Sequence, residues 1–234
     1  MVNPDAGAIG LTHLGFIMDG NRRWAVGSSR PKLDGHAAGY DALIRVMTRC
    51  VELNIKYVTV YAFSTENWSR SKQEVDRIMQ LMFRGIIDDL HIFTDKNVRL
   101  RFLGSREKLS RSLLAKMDEA EQTTAGFAKS TLSVCFNYGG QTEIVEACRA
   151  IVSSGVSPEM VDADLITKNI YHPDIPPLDM IVRTSGEHRL SNFMLWRSAY
   201  AEILFIDKFW PDMTVADVDE IVTRFSESER RFGH

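Results

Sequence analysis

Cysteine is scarce in this 234-residue chain: Cys50, Cys135 and Cys148 are odd in number and show no C-x-x-C spacing. A disulfide framework is therefore not expected, and the three read as buried thiols in a reducing compartment. Long apolar runs are also missing. No stretch reaches the roughly eighteen apolar residues of a spanning helix, and the opening MVNPDAGAIG has no basic region followed by an apolar segment. Membrane spanning and secretion are disfavoured, and a cytoplasmic protein is the expectation. Nor is there an excess of one charge: 28 Lys plus Arg against 31 Asp plus Glu, net -3, argues against nucleic acid as a partner. The chain lacks a GxxxxGK[ST] loop, a GxGxxG after a strand, and any His/Cys grouping with zinc spacing. P-loop hydrolases and dinucleotide oxidoreductases are thereby excluded. No linker-like composition, repeat or low-complexity tract interrupts residues 1–234, which read as a single domain.

What is present is alternation. Short runs rich in β-branched and aromatic residues recur at Leu14 to Met18, Tyr57 to Phe63, Val98 to Leu103, Leu132 to Phe136, Met180 to Val182 and Ile203 to Ile206. Between them, apolar residues fall at helical spacing: Leu43 to Val51, Val75 to Leu90, Leu109 to Met117, and Ile144 to Val152. Strand alternating with helix predicts an α/β fold, a mostly parallel central sheet flanked by helices. One long helix is expected from about Gln73 to about Thr94, its wide Met and Ile stripe reading as core and also able to wall an apolar tunnel.

Three polar segments follow strands directly, and in a parallel sheet the strand ends share one rim. The first, HLGFIMDGNRRW from His13 to Trp24, ends a strand in Asp19-Gly20-Asn21-Arg22-Arg23. Asp19 can hold a hard cation, Arg23 can fork onto phosphate oxygens, and Gly20 lets backbone amides approach an anion. An ordinary turn would use the same Asp-Gly and Asn. Four cations, Arg22, Arg23, Arg30 and Lys32, fall within eleven residues, and His36 follows at a helix start where amides attract anions. The second segment, Ser64 to Arg70, is either a helix cap built on Ser69 or Ser71 with Glu74, or a polar patch containing Asn67, Trp68 and Arg70. The third, Arg183 to Asn192, holds Arg183, Arg189, hydroxyls and a glycine, enough for a second diphosphate or merely a solvated loop. Glu202 opens the last strand and is either structural or a cation ligand.

Taken together, HLGFIMDGNRRWA, GHAAG, YAFSTENWSR, NYGG, IVRTSGEHRLSNFMLW, AYAE and the terminal RRFG resemble, in order, the blocks of the cis-prenyltransferases, the undecaprenyl diphosphate synthase family. The resemblance runs from about His13 to Gly233 and implies condensation of isopentenyl diphosphate onto an allylic diphosphate (farnesyl, geranyl or dimethylallyl) to give a cis-polyprenyl diphosphate. It implies Mg2+ held by Asp19 with Glu202 as partner carboxylate. Asp19, Asn21 and Asn67 are implied to be catalytic; Gly20, Asn21, Arg22, Arg23, Lys32, His36, Ser64 and Arg70 to bind the allylic diphosphate; and Arg183, Arg189, Ser191, Arg231 and Gly233 to bind isopentenyl diphosphate. It further implies a homodimer whose C-terminal arm, about residues 224–234, reaches the partner's site, and peripheral contact with membrane through the apolar product. Two departures stand out: family members often have Gly where Arg22 stands and Arg where Lys32 stands, which adds a cation and exchanges a fork for a point charge.

Rival readings are separable. An all-helical trans-prenyltransferase would carry DDxxD, whereas Asp88-Asp89-Leu90-His91-Ile92 lacks the last Asp. A non-catalytic accessory subunit would lack the Asp19, Asn21 and Arg23 set, and a phospholigand-binding protein would gain nothing from paired carboxylates. Small Ala62 is compatible with a long product, while Phe83, Leu132 and Phe136 are candidates to cap a short one.

Overall fold

The computed structural model describes residues 9–32 and 34–228. Its sheet contains β1 (His13–Ile17), β2 (Tyr57–Ser64), β3 (Val98–Leu103), β4 (Ser130–Tyr138), β5 (Met180–Arg183) and β6 (Glu202–Phe205), in the order β3-β4-β2-β1-β5-β6. Every neighbouring pair is parallel. All nine residues of β4, STLSVCFNY, are buried, as a strand covered on both faces requires. The helices are α1 (Asn21–Gly27), α2 (Asp34–Glu52), α3 (Lys72–Ile87), α4 (Leu90–Thr94), α5 (Arg111–Thr123), α6 (Gly140–Ser153), α7 (Ala163–Asn169) and α8 (Val215–Glu227).

The α/β expectation holds, with each predicted strand found within two residues of its expected limits. One sheet face carries Leu14, Phe16, Val58, Val60, Leu132 and Val134 into the main core, with Val46 and Met47 of α2, Ile78 of α3 and Val222 of α8 packed into the same cluster. The other face buries Ile17, Cys135 and Ile181 with Leu178, Phe193 and Met194. Sheet order reverses at β1, which lies between β2 and β5. The crevice beyond the carboxyl end of such a strand is where α/β sheets take ligands.

Two expectations are corrected. The long helix over 73–94 is two: the carbonyl of Arg84 accepts the N–H groups of both Asp88, at 2.8 Å, and Asp89, at 3.2 Å, and the Asp89 carboxylate turns onto the Arg84 guanidinium at 3.2 Å. The ladder loses its i to i−4 register there, and α4 starts afresh. Cys148 is exposed, whereas Cys50 and Cys135 are buried; on α6 the inward positions go to Ala147 and Ile151. Helices α1, α7 and α8 were not anticipated.

Candidate active site

Asp19 follows β1 by two residues, and the register that pairs Ile17 with Arg183 sets the end of β5 beside it. The turn between them depends on Gly20, whose φ of 104° is open to glycine and strained for other residues. A Cβ there would also lie 2.7 Å from the Phe209 ring. In this turn the Gly20 N–H donates to Asp19 Oδ1 at 2.7 Å, and Arg183 Nη2 donates to Oδ2 at 2.8 Å. Arg23 approaches Oδ1 at 3.5 Å and donates to Ser185 Oγ at 2.6 Å. Burial pushes the Asp19 pKa up, but the Arg183 guanidinium and the Gly20 amide outweigh it, and the carboxyl is held below its usual range. Asp19 is thus an anion at neutral pH with lone pairs left over and a partly exposed side chain.

Arg183 is 3 % exposed and closes its own loop: Nη1 donates to Ser191 Oγ at 2.7 Å and to the Arg189 carbonyl at 2.5 Å. Arg189 itself extends outward onto Glu187, which Arg23 also meets at 3.1 Å. Hydrogen bonds from Arg189 hold the Glu187 carboxyl below its ordinary range. Arg183, Arg189 and Ser191 therefore form one cationic group next to Asp19.

On the far side of Asp19, two arginines and a histidine converge on one buried carboxylate. Glu74 accepts from Arg70 at 2.8 Å, His36 Nε2 at 3.2 Å and Arg22 at 3.3 Å. Burial pushes Glu74 up, yet Arg70 and Arg22 outweigh it and leave it ionised. His36 is pushed down by burial, against the pull of Glu74, and is mainly neutral at pH 7. Glu74 was read only as a helix-cap residue. Ser71 is indeed the cap, accepting the Glu74 N–H at 3.4 Å, but the carboxylate organises the site. The i,i+4 spacing of Arg70 and Glu74 was the one sequence signal available. Asn67, which the sequence places in the polar patch and not in a cap, is itself part of one: Ser64 and Asn67 bond reciprocally, backbone to side chain, at the 3-10 turn after β2. Trp68 belongs to packing, donating to Asn137 Oδ1 at 2.7 Å.

These groups line one cleft of about 820 Å3, to which Asp19, Gly20, Asn21, Arg22, Arg23, His36, Ser64, Asn67, Arg70, Arg183, Arg189 and Ser191 all contribute. Beneath it is an apolar cavity of about 120 Å3 lined by Leu81, Met82, Phe93, Phe102, Leu132 and Phe136 among others. Met18, Asn21, His36, Ala62 and Ile78 line both spaces, so the charged cleft opens directly onto the cavity. Asn21 Oδ1 is buried at this throat with no hydrogen-bond partner among the described residues. Phe83 does not line the cavity, whereas Leu132 and Phe136 do.

Two expected site residues, Lys32 and Glu202, are not brought in, and two more lie outside the described residues. Lys32 is exposed outside the cleft lining. Arg231 and Gly233 lie outside the described residues, as does most of the expected arm at 224–234. Glu202 begins β6, opposite Met180, and accepts from Ser228 at 2.6 Å. Its backbone N–H joins Asp179 at the amino ends of the strands, whereas Asp19 lies past the carboxyl ends. At about 3.3 Å per residue, a whole strand of roughly 10 Å separates them. Among the described residues no three His, Cys, Asp or Glu side chains gather as a metal cluster. Asp19, a hard oxygen donor between two phosphate-sized cation groups, fits Mg2+, which takes one or two carboxylates plus substrate phosphates. Glu202 of the same chain does not.

The architecture is that of an enzyme joining two diphosphates whose tails are apolar. The family model described as putative undecaprenyl diphosphate synthase matches residues 17–233, and the chain belongs to that prenyltransferase family. It is 43% identical to an isoprenyl transferase of Thermotoga maritima, covering 94% of this chain and 96% of that one. It is 41% identical to a decaprenyl diphosphate synthase of Mycolicibacterium smegmatis, covering 94% and 77%. In three dimensions it is similar to lavandulyl diphosphate synthase from Lavandula x intermedia, solved with dimethylallyl diphosphate, at TM-score 0.91 and 28% identity over 97% of this chain and 100% of that one. It is also similar to a probable undecaprenyl diphosphate synthase from Campylobacter jejuni, at TM-score 0.81 and 31% identity over 96% and 99%.

Proposed function

We propose that this prenyltransferase is a Z-isoprenyl diphosphate synthase, condensing isopentenyl diphosphate with an allylic diphosphate and releasing diphosphate. The observation that carries the reading is the direct opening of a cleft with two cation groups onto an apolar cavity, through residues common to both. The Gly20 turn, Arg22, Arg23, His36 and Arg70 hold the allylic diphosphate, with Ser64 and Asn67 at its border; Arg183, Arg189 and Ser191 hold the isopentenyl diphosphate.

In the reaction the allylic carbon-oxygen bond breaks, the diphosphate leaves with the electron pair, and the alkene of isopentenyl diphosphate attacks the cationic carbon. Loss of a proton from the new unit restores a double bond. Negative charge grows on the leaving diphosphate, so Arg22, Arg23 and Arg70 act more strongly on the transition state than on the ground state. Holding both diphosphates on one rim supplies the alignment. Asn21 stands at the throat where the reacting carbons meet. Mg2+, held by Asp19 and phosphate oxygens, would neutralise charge on the departing group.

The lengthening tail leaves water by entering the cavity. A homodimer is supported by Ile203, 44% exposed on the edge strand β6, and Tyr200, 78% exposed in the turn before it. Glu202 then acts across a subunit contact or not at all. No helix among the described residues is long and apolar enough to cross a membrane. We place the protein in the cytoplasm, in peripheral contact with membrane through its apolar product.

Incubation with labelled isopentenyl diphosphate, Mg2+ and dimethylallyl, geranyl or farnesyl diphosphate, followed by sizing of the dephosphorylated products, tests the reading. A ladder of Z-polyprenols is expected with at least one starter. No incorporation with any starter would overturn it.

A further inference from the structure

The NYGG corner, where β4 enters α6, contributes nothing to the cleft, yet it is built around one residue of the loop that does. Ser185, Ser191, Asn192 and Met194 have φ of 74°, 48°, 65° and 44°, conformations that non-glycine residues seldom adopt. A loop wound this way needs external anchors. Asn192 supplies them: its carbonyl accepts the Gly140 N–H at 2.7 Å, and its Oδ1 accepts the Gln141 N–H at 2.8 Å. Both amides belong to the first turn of α6, whose N–H groups have no partner within the helix. The two glycines make this approach possible. A Cβ on Gly139 would stand 2.8 Å from Asn192 Nδ2, and one on Gly140 would stand 2.8 Å from Leu195 Cγ.

The remaining group of Asn192 points the other way. Its Nδ2 donates to Glu66 Oε1 at 3.1 Å, and Glu66 sits on the 3-10 turn that also carries Ser64 and Asn67. One carboxamide therefore joins α6, the Arg183–Asn192 loop and the turn after β2. Ser191, the residue before it, is bound by Arg183.

We propose that Asn192 is a positioning residue: clasped to Glu66 across the cleft and seated on α6, it sets Ser191 and Arg189 at the spacing that receives the isopentenyl diphosphate. This rests on the reading of Arg183, Arg189 and Ser191 as that half-site. A misplaced Ser191 and Arg189 weaken capture of this one substrate, while Arg22, His36 and Arg70 of the allylic cradle stay gathered on Glu74.

The test is steady-state kinetics with each substrate varied separately, together with thermal melting. Asn192→Asp keeps the shape and the Gln141 contact, and Asp tolerates a positive φ, but it turns a donor into an acceptor facing the Glu66 carboxylate. It should raise KM for isopentenyl diphosphate about tenfold, with KM for the allylic substrate and kcat within about threefold. Adding Glu66→Gln restores a donor from the opposite side, and the double variant should return to within about threefold of the parent. Glu66→Ala, at an exposed position where folding is not at stake, should raise the same KM severalfold. Equal shifts in both KM values, no shift in either single variant, or failure of the double variant to recover would overturn the proposal. Arg189→Ala separates the two levels. If it leaves KM for isopentenyl diphosphate unchanged, the half-site reading falls; if it raises KM while Asn192→Asp does not, only the role of Asn192 falls.

Discussion

Asp19 and Glu74 are two anions of the site, and each organises the cations around it. Asp19→Asn keeps an acceptor for the Gly20 N–H, and Arg183 retains Ser191 and the Arg189 carbonyl. Folding should survive, with a melting temperature within a few degrees, while turnover falls by about two or more orders of magnitude, the scale of losing one transition-state stabiliser. Rate assays beside thermal melts check both halves. Glu74→Gln preserves shape and removes the charge that gathers Arg22, His36 and Arg70. Arg22 and Arg70 then repel one another, and KM for the allylic diphosphate should rise about tenfold, read by varying that substrate at saturating isopentenyl diphosphate. Asp19 was legible in sequence because an apolar run ended in a turn carrying it. Glu74 was not: three of its partners come from separate elements, and only the crossing of α1 and α2 over the start of α3 brings them together.

At the scale of the element, β1 depends on His13, which is fully buried with Nδ1 2.8 Å from the Pro176 carbonyl and Nε2 2.7 Å from Thr59 Oγ1. Burial lowers its pKa from 6.5 to about 4, the Pro176 contact opposing. The folded state thus refuses a proton that the unfolded chain accepts. The stability associated with neutral His13 is present above about pH 6.5 and is lost as pH falls toward 4, by about 3 kcal/mol in all at roughly 1.4 kcal/mol per unit. Urea unfolding at a series of pH values should show this slope, and His13→Gln should flatten it while lowering stability at neutral pH. Strands were legible throughout because each carries a short run rich in β-branched and aromatic residues. The break between α3 and α4 was not, since it comes from a carbonyl shared by two amides and not from a proline or glycine.

For the whole molecule, parallel strands explain why three polar segments spaced across the sequence line one cleft: each leaves a strand at its carboxyl end. The same rule shows why Glu202 cannot meet Asp19 in one chain, because it opens a strand where the others close one. That much was available from strand-helix alternation alone; the throat joining cleft to cavity was not, since it depends on side chains from α2, α3 and β2 meeting in space. Outside the cleft, Ile203 on the edge strand β6 and Tyr200 in the turn before it are left uncovered. Tyr200→Glu should weaken self-association, and sedimentation over a concentration series should show a larger monomer fraction than in the parent protein. Finally, Asp19 is bonded at 2.8 Å to Arg183. Under the proposed assignment of these residues to two half-sites, a ligand that draws either member away alters the charge presented by its mate, and occupancy by one substrate is expected to change the apparent affinity for the other, a thermodynamic synergy built into a single ion pair.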